Sequence, residues 1–594
     1  MSGGLAHERS VGTASIGARP RPVALRPGAA LPLVAVLAVS GLILGHFFDR
    51  YWLPRDDGYY AHIAERLLNG AVLNRDVQEL HSGYIAFFNA LAFRLLGTEL
   101  VSLRYPPAVL GVVQAGLLFA MLRPRGLLTA MAATLALSSL SFIQFPDPSA
   151  HWYAQFLFIA LIACLQWMPA GARYRIETVG LLLATVAMTR QLTGVFVAIG
   201  TVGWLLIELP RTDDHRRRGG LAPAVAAIMA VGVAGYLYAR TDVLGWLLFG
   251  IWPLALLIAI AVCCRTDDRA VVEALLRLAA GFALGTLPLI AYHAATGSLS
   301  DWYRDTVADA IALSGFEYIQ HKTFILYLGL PLRQLFAASG VADIANGLYW
   351  PILLLSPLAL GAIVLARYLR VANAARARDP LPFLAVFYGL VALHYQVPAY
   401  LYFMIGTTVA GLLWIAAGGA KTVRYGAIAV ATALSATGLY YQAGQPFARG
   451  PLGEIQGERR VQLADTGLER FGLRIEADDA RLYRSLVALI RDNTAPNDPI
   501  LAIPAEPELY FLSGRRNPLP YSYVNFGIID DDALEQALDQ LRRDPPRLVF
   551  HAPALPYNTS YTDRIMDFVR RHYDRLGAQG PFVIYRYRTE STRQ

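Results

Sequence analysis

The chain has 594 residues, 55% of them hydrophobic and only 16% charged. Soluble domains carry about 25% charged residues, so an ordinary soluble globular protein is excluded and most of the chain is expected in a membrane. The net charge of +8 is spread over basic connectors at 123–126 (RPRG), 211–220 (RTDDHRRRGG) and 367–380 (RYLRVANAARARDP). These alternate with connectors nearly free of Lys and Arg, such as 146–150 (PDPSA), which is a membrane-topology pattern and excludes nucleic acid as partner.

Residues 1–28 carry four arginines and read as a disordered cytoplasmic tail leading into an uncleaved anchor. From there to residue 441, apolar stretches long enough to cross about 30 Å of hydrocarbon recur. About thirteen spans are expected, near 29–48, 104–122, 126–144, 151–169, 176–189, 192–208, 221–239, 243–263, 273–293, 347–366, 381–397, 400–418 and 424–441. The stretch 176–208 is too long for one span, and it is split at Thr189-Arg190-Gln191 because an arginine in mid-bilayer is expensive. With an odd count and the basic tail inside, the arginine-dense loops lie in the cytoplasm. The loops holding Asp56, Asp147, Arg190 and residues 294–346 then lie outside, as does everything after 442.

The first external loop, 49–103, has its own pattern. From Tyr60, apolar residues recur at Ala64, Leu67, Leu68 and Ala71, with His62, Glu65, Arg66 and Asn69 opposite, giving an interfacial helix with its polar side up. A second apolar run at 84–97 is too short to span and reads as surface-lying or re-entrant. The three cysteines fall within or at the ends of spans, and no disulfide is expected. Residues 442–594 change character. Short strands at 499–504, 547–553 and 582–588 with an amphipathic helix at 531–544 imply a small α/β domain. It shows no phosphate-binding glycine loop, so no cofactor is assigned. The fold expected is thus a mainly α, polytopic membrane bundle (29–441) with a small extracytoplasmic α/β domain (442–594). Asn558-Thr559-Ser560 matches a glycosylation acceptor, a pattern short enough to arise by chance.

The stretch 55–67, RDDGYYAHIAERL, places Asp56 and Asp57 at the start of the interfacial helix, where the helix dipole favours negative charge. Either residue can be explained as a helix cap, but capping does not readily account for both. Together with the apolar first span, the patch ending in LLG and the span entered by Arg104, RDDGYYAHIAERLLNGAVLNRDV resembles the opening of polyprenyl-phosphate-dependent glycosyltransferases of the GT-C superfamily. The likeness is to the protein mannosyltransferase and aminoarabinose transferase branch. The resemblance implies that Asp56 is the catalytic carboxylate. Asp57 stands where many relatives have Glu, so either member of the pair is a candidate. It also implies an inverting displacement on a polyprenyl-phosphate-linked sugar, with transfer to a lipid, polysaccharide or protein acceptor on the periplasmic face of a bacterial inner membrane.

Such a reaction needs a base for the acceptor hydroxyl and cations for the leaving phosphate. Arg55, Arg104, Arg190, Lys322 and His394 are the main cationic candidates, with Arg304 and Arg333 behind them. Tyr60, with Trp52, Tyr59, Trp152 and Trp302, offers a sugar-stacking face or belongs to the interfacial aromatic belt. Asp76 and Asp147 are candidates for support around the site. A divalent ion held by Asp56 or Asp57 with Asp147 is chemically reasonable, but no metal is assigned. A transporter or flippase of a lipid-linked sugar is the rival; such proteins place ionisable groups near the bilayer midplane, whereas these spans are apolar there.

Overall fold

The computed structural model describes residues 27–209, 219–313, 323–338, 340–370, 379–442 and 462–588. The expected tail, apart from its last two residues, and Lys322 lie outside them. Helices stand at all thirteen expected places: Pro27–Phe47, Tyr105–Leu122, Leu127–Ser139, Ala150–Trp167, Arg175–Thr189, Gln191–Glu208, Leu221–Arg240, Ile251–Cys263, Asp268–Thr296, Val341–Arg370, Pro380–Tyr388, Pro398–Ala416 and Lys421–Gln442. Ten of the described helical stretches are long and apolar enough to cross a membrane. The expected break falls on Arg190, whose backbone is extended (φ −151, ψ 105) between two helices.

Two packing devices organise the bundle. Helices Arg175–Thr189 and Asp268–Thr296 meet through glycines: a Cβ on Gly180 would strike the Leu278 carbonyl, and one on Gly281 the Glu177 carbonyl. Small residues let the two backbones approach where apolar lipid offers no hydrophobic drive. At one end of the bundle Arg125 donates to Asp379 at 2.7 Å, with Arg367 3.8 Å from the same carboxylate. The basic connectors 123–126 and 367–380 therefore share that end.

The C-terminal region carries a four-stranded sheet in the order Ile500–Ile503, Leu548–His551, Phe582–Tyr587, Tyr573–Gln579. The first pair is parallel and the others antiparallel. Three of these strands and the helix Asp531–Arg543 stand where alternation places them. The fourth strand, YDRLGAQ, is mostly exposed and carries no apolar alternation to betray it. Asn558 of the glycosylation-like tripeptide donates its side-chain amide to the carbonyls of Ala552 (3.0 Å) and Leu555 (2.9 Å), a loop-closing role.

The first external loop and the C-terminal region share one hydrophobic core, in which Trp52, Ile63, Ile85 and Leu103 pack with Phe471, Leu486, Tyr510 and Phe550. Backbone hydrogen bonds fasten them: Arg474 N donates to Asp49 O and Tyr51 N to Arg474 O, each at 2.8 Å, and Leu100 N to Arg470 O at 3.1 Å. This changes the expected setting of the interfacial helix, observed as Pro54–Leu68. Much of its polar side meets protein, with Asn69 left exposed at its end. His62 lies against the Tyr510 ring at 5.2 Å, and Glu65 pairs with Arg470.

The closest approach is at Gly58, where a Cβ would overlap the backbone of Glu508. We therefore expect Gly58→Ala to destabilise this junction by about 1–3 kcal/mol, the usual cost of overpacking. Limited proteolysis and thermal unfolding of the purified protein would show earlier release of the C-terminal region.

Candidate active site

The interfacial helix starts with Pro54, whose fixed φ suits the first helical position. Asp56 and Asp57 follow in the first turn. Successive helical residues point about 100° apart, so adjacent carboxylates cannot share one environment.

Asp57 turns inward and is fully buried. Its Oδ1 accepts from Arg104 Nε (3.2 Å) and Nη2 (3.0 Å); its Oδ2 accepts from Arg104 Nη2 (2.9 Å) and from the Leu53 backbone N–H (2.8 Å). Arg104, equally buried, also donates from Nη1 to the carbonyls of Phe48 (3.2 Å) and Arg50 (3.0 Å). Burial pushes the Asp57 carboxyl up, and Arg104 and the Leu53 amide oppose that shift. The expectation that Arg104 holds the donor is therefore replaced. Its donors are committed to the protein, and it acts as the buried partner of Asp57.

Asp56 is part-exposed and accepts no hydrogen bond among the described residues. Its pKa is raised to about 6, by burial first and by the charge of Asp57 second, with Arg55 opposing. Arg55 leans away toward the C-terminal region, 3.5 Å from Glu506 and over the Tyr557 ring at 5.6 Å. Glu506 belongs with Glu508 to a buried acidic pair, and Tyr483 donates to Glu508 at 3.1 Å. Tyr523, also from the C-terminal region, packs on Tyr59 at 5.4 Å, within reach of the Asp56 charge.

Tyr60, Asp147 and Tyr400 lie within reach of the Asp56 charge, and Arg190 and His394 stand beyond them, against Tyr400. The charges of Asp147, Asp56 and Arg190 all bear on Tyr60, whose hydroxyl is pushed well above its ordinary range by burial. Asp147 is buried and accepts from Trp152 Nε1 at 2.9 Å. Burial and then the charges of Asp56 and Asp57 push its carboxyl well up, toward the protonated form.

Arg190 is buried, lies over the Tyr400 ring at 5.7 Å and keeps an Nε–H without a partner among the described residues. Its Nη1 is 3.4 Å from His81 Nε2, and His81 Nδ1 is 2.7 Å from Glu79 Oε1. These neighbours assign the proton to Nδ1, which leaves Nε2 to accept from Arg190. His81 stacks on Tyr60 at 5.9 Å, and His394 lies 5.6 Å from Tyr400.

Other candidates lie elsewhere. Asp76 closes a turn, accepting from Val72 N (2.8 Å) and Arg75. Arg304 pairs with Asp301 and Asp305, and Arg333 is exposed. Lys322 is outside the described residues. Among the described residues no group of three or more His, Cys, Asp or Glu is arranged to hold a metal ion. Sequence reading missed Glu79, His81, Tyr400 and Tyr523. The Glu79-x-His81 spacing inside an external loop was the one available signal; the others are distant in sequence.

No protein-family model matches the chain, and no curated protein matches it. Among solved structures, ArnT from Cupriavidus metallidurans bound to undecaprenyl phosphate aligns at 13% identity over 94% of this chain and 98% of that one, with a TM-score of 0.40. Its apo form aligns at 14% identity over 94% and 97%, also with a TM-score of 0.40. An Archaeoglobus fulgidus oligosaccharyltransferase tethered to an acceptor peptide aligns at 11% identity over 87% and 68%, with a TM-score of 0.41. Likeness of this degree carries no argument about activity, which is built below from this chain's own residues.

Removing the Asp57 charge strands the Arg104 guanidinium in a dry site. Asp57→Asn should cost about 3–5 kcal/mol, as expected for breaking a buried pair on one side. A fluorescence-monitored melt in detergent should reveal it as a loss of folded yield or a sharply lower Tm, whereas Asp56→Asn should melt like the parent.

Proposed function

We propose that the chain is an integral-membrane glycosyltransferase of the GT-C type that moves a sugar from a polyprenyl-phosphate carrier to an acceptor hydroxyl. The carrying observation is the contrast between the two aspartates: Asp57 is consumed by Arg104, while Asp56 stays unpaired, with a pKa near 6, and Tyr60 and Tyr400 feel both its charge and that of the buried Arg190, whose Nε–H has no partner among the described residues. A carboxylate poised close to working pH is what general-base catalysis asks for.

In this reading Asp56 takes the proton of the acceptor hydroxyl. The oxygen attacks the anomeric carbon, the bond from that carbon to the phosphate oxygen breaks, and polyprenyl phosphate leaves. The unpaired Nε–H of Arg190 supplies positive charge where the leaving oxygen becomes negative. The Glu79–His81 relay holds the guanidinium in place, and His394 adds a donor from the same end of the bundle. Tyr60 walls the sugar position. Asp147, held toward its neutral form, offers a hydrogen bond without repelling the phosphate. Inversion at the anomeric carbon follows because no second carboxylate is needed as nucleophile. In this reading the site faces the periplasmic side of a bacterial inner membrane, a placement supported by the basic connectors, which are expected on the cytoplasmic side.

Transfer assays with a panel of polyprenyl-phosphate sugars test the proposal. Asp56→Asn should lose about 10²- to 10⁴-fold in turnover, the usual worth of a general base; full turnover would reject it. The base must be ionised, so kcat/KM should climb as pH rises through about 6. Arg55→Gln removes the charge that opposes the Asp56 shift and should move that limb to higher pH. A flippase would instead translocate labelled lipid without forming a glycosidic bond, and would be indifferent to Asp56→Asn.

A further inference from the structure

A cavity of about 590 Å3 opens between the segments at 74–78 and 304–309 and the C-terminal region. Asn74, Gln78 and Asp309 line one wall, and Tyr521, Gln536 and Gln540 the other. Its lining leaves several polar groups unused. Asp309 is 5% exposed and has no hydrogen bond or ion pair among the described residues. Asn74 is 2% exposed; its Nδ2 donates to Glu79 O and to Asp305 Oδ2, each at 2.9 Å, and its Oδ1 has no partner. The Tyr521 hydroxyl is likewise unpartnered. Two of these groups, Asn74 Oδ1 and the Tyr521 hydroxyl, are buried without a partner among the described residues, and Asp309 borders the same cavity; a polar ligand would satisfy them.

The lining identifies its chemistry. Planar amides and carboxylates offer donors and acceptors side by side, and the Tyr521 ring with Leu519 and Ile529 supplies an apolar face, a combination suited to the hydroxyl and C–H faces of sugar rings. The Tyr521 ring is seated against Gly527, where a Cβ would overlap it. Charge disfavours an anionic ligand. Five carboxylates line the cavity against three guanidinium groups, and two of the latter, Arg75 and Arg304, are already paired. With Asp305 paired to Arg304 and Asp539 to Arg542, Asp309, Asp530 and Asp532 still outnumber Arg543.

The cavity also adjoins the Asp56 site. One C-terminal loop separates them: its residues Pro518–Tyr521 line the cavity, while Tyr523 faces Asp56. Gln78 N fastens this loop by donating to Pro520 O at 2.8 Å.

We infer that this cleft binds an uncharged, hydroxyl-rich sugar chain, the glycan portion of the acceptor. Naming that chain as the acceptor rests on the transfer reading above; the binding itself does not.

Calorimetry on the full chain in nanodiscs tests this with neutral hexasaccharides of glucose and mannose, and with an oligogalacturonate as the anionic counterpart. At least one neutral probe should bind. Asp309→Ala and Gln540→Ala should each weaken it about tenfold, and oligogalacturonate should not compete. Gln540 is part-exposed, so its variant serves if Asp309→Ala fails to fold. Binding without transfer would overturn the transfer reading and support the cleft. No binding of any neutral probe, binding indifferent to the cleft variants, or tighter binding of oligogalacturonate would overturn the cleft.

Discussion

The buried pair between Asp57 and Arg104 sets the geometry on which the candidate site depends. It ties the first turn of the interfacial helix to the entrance of the next membrane helix, 47 residues on. Such a pair is poor evidence of net stability, since desolvating both charges offsets most of their attraction. Its effect is orientation. With both Asp57 oxygens engaged and the Leu53 amide held as well, the helix is kept from rolling, and the neighbouring Asp56 is turned away, part-exposed and without a hydrogen-bond partner among the described residues. Two identical residues thus acquire opposite roles from a rotation of about 100°.

The same helix is held from the other side. Gly58 permits the backbone of Glu508 to sit against it, and Arg55 reaches Glu506. The C-terminal region therefore bears directly on the environment of Asp56: it buries the carboxyl, which raises its pKa, and brings up Tyr523. A carboxylate in a loop open to water would be fully ionised at neutral pH and a weak base. Covering the helix with a second layer of protein is what moves its proton affinity into a useful range.

Much of the architecture was legible because membranes enforce it. Runs of apolar residues must be helices, and a charge at Arg190 must mark a break. The strands at Ile500–Ile503 and Leu548–His551 were legible from composition. What could not be read were the pairings at long range. Asp57 with Arg104 and Arg190 with His81 are ordinary charges in the sequence, and only the fold decides which are spent on each other. Arg104 looked like a phosphate ligand for the same reason that it is a good partner for Asp57: a planar cation at a membrane helix entrance suits either carboxylate or phosphate. The polar face of the interfacial helix was misread because a face that meets a polar protein surface has the same composition as one that meets water.

Charge is sorted between the Asp56 site and the cleft in a way that bears on the proposed mechanism. Near Asp56 the buried Arg190 has an unused donor, while the adjoining cleft is lined mainly by carboxylates and amides. A phosphate entering the first meets attraction, and entering the second meets repulsion; an uncharged polyol has the reverse preference, since it gains hydrogen bonds in the cleft and loses nothing by avoiding the arginine. The loop carrying Tyr523 separates these two environments, so a hydroxyl extending past it reaches the unpaired carboxylate just where the field changes sign. In the proposed reaction, electrostatics would then sort the phosphate-bearing donor from an uncharged acceptor before any contact with the sugar itself is made.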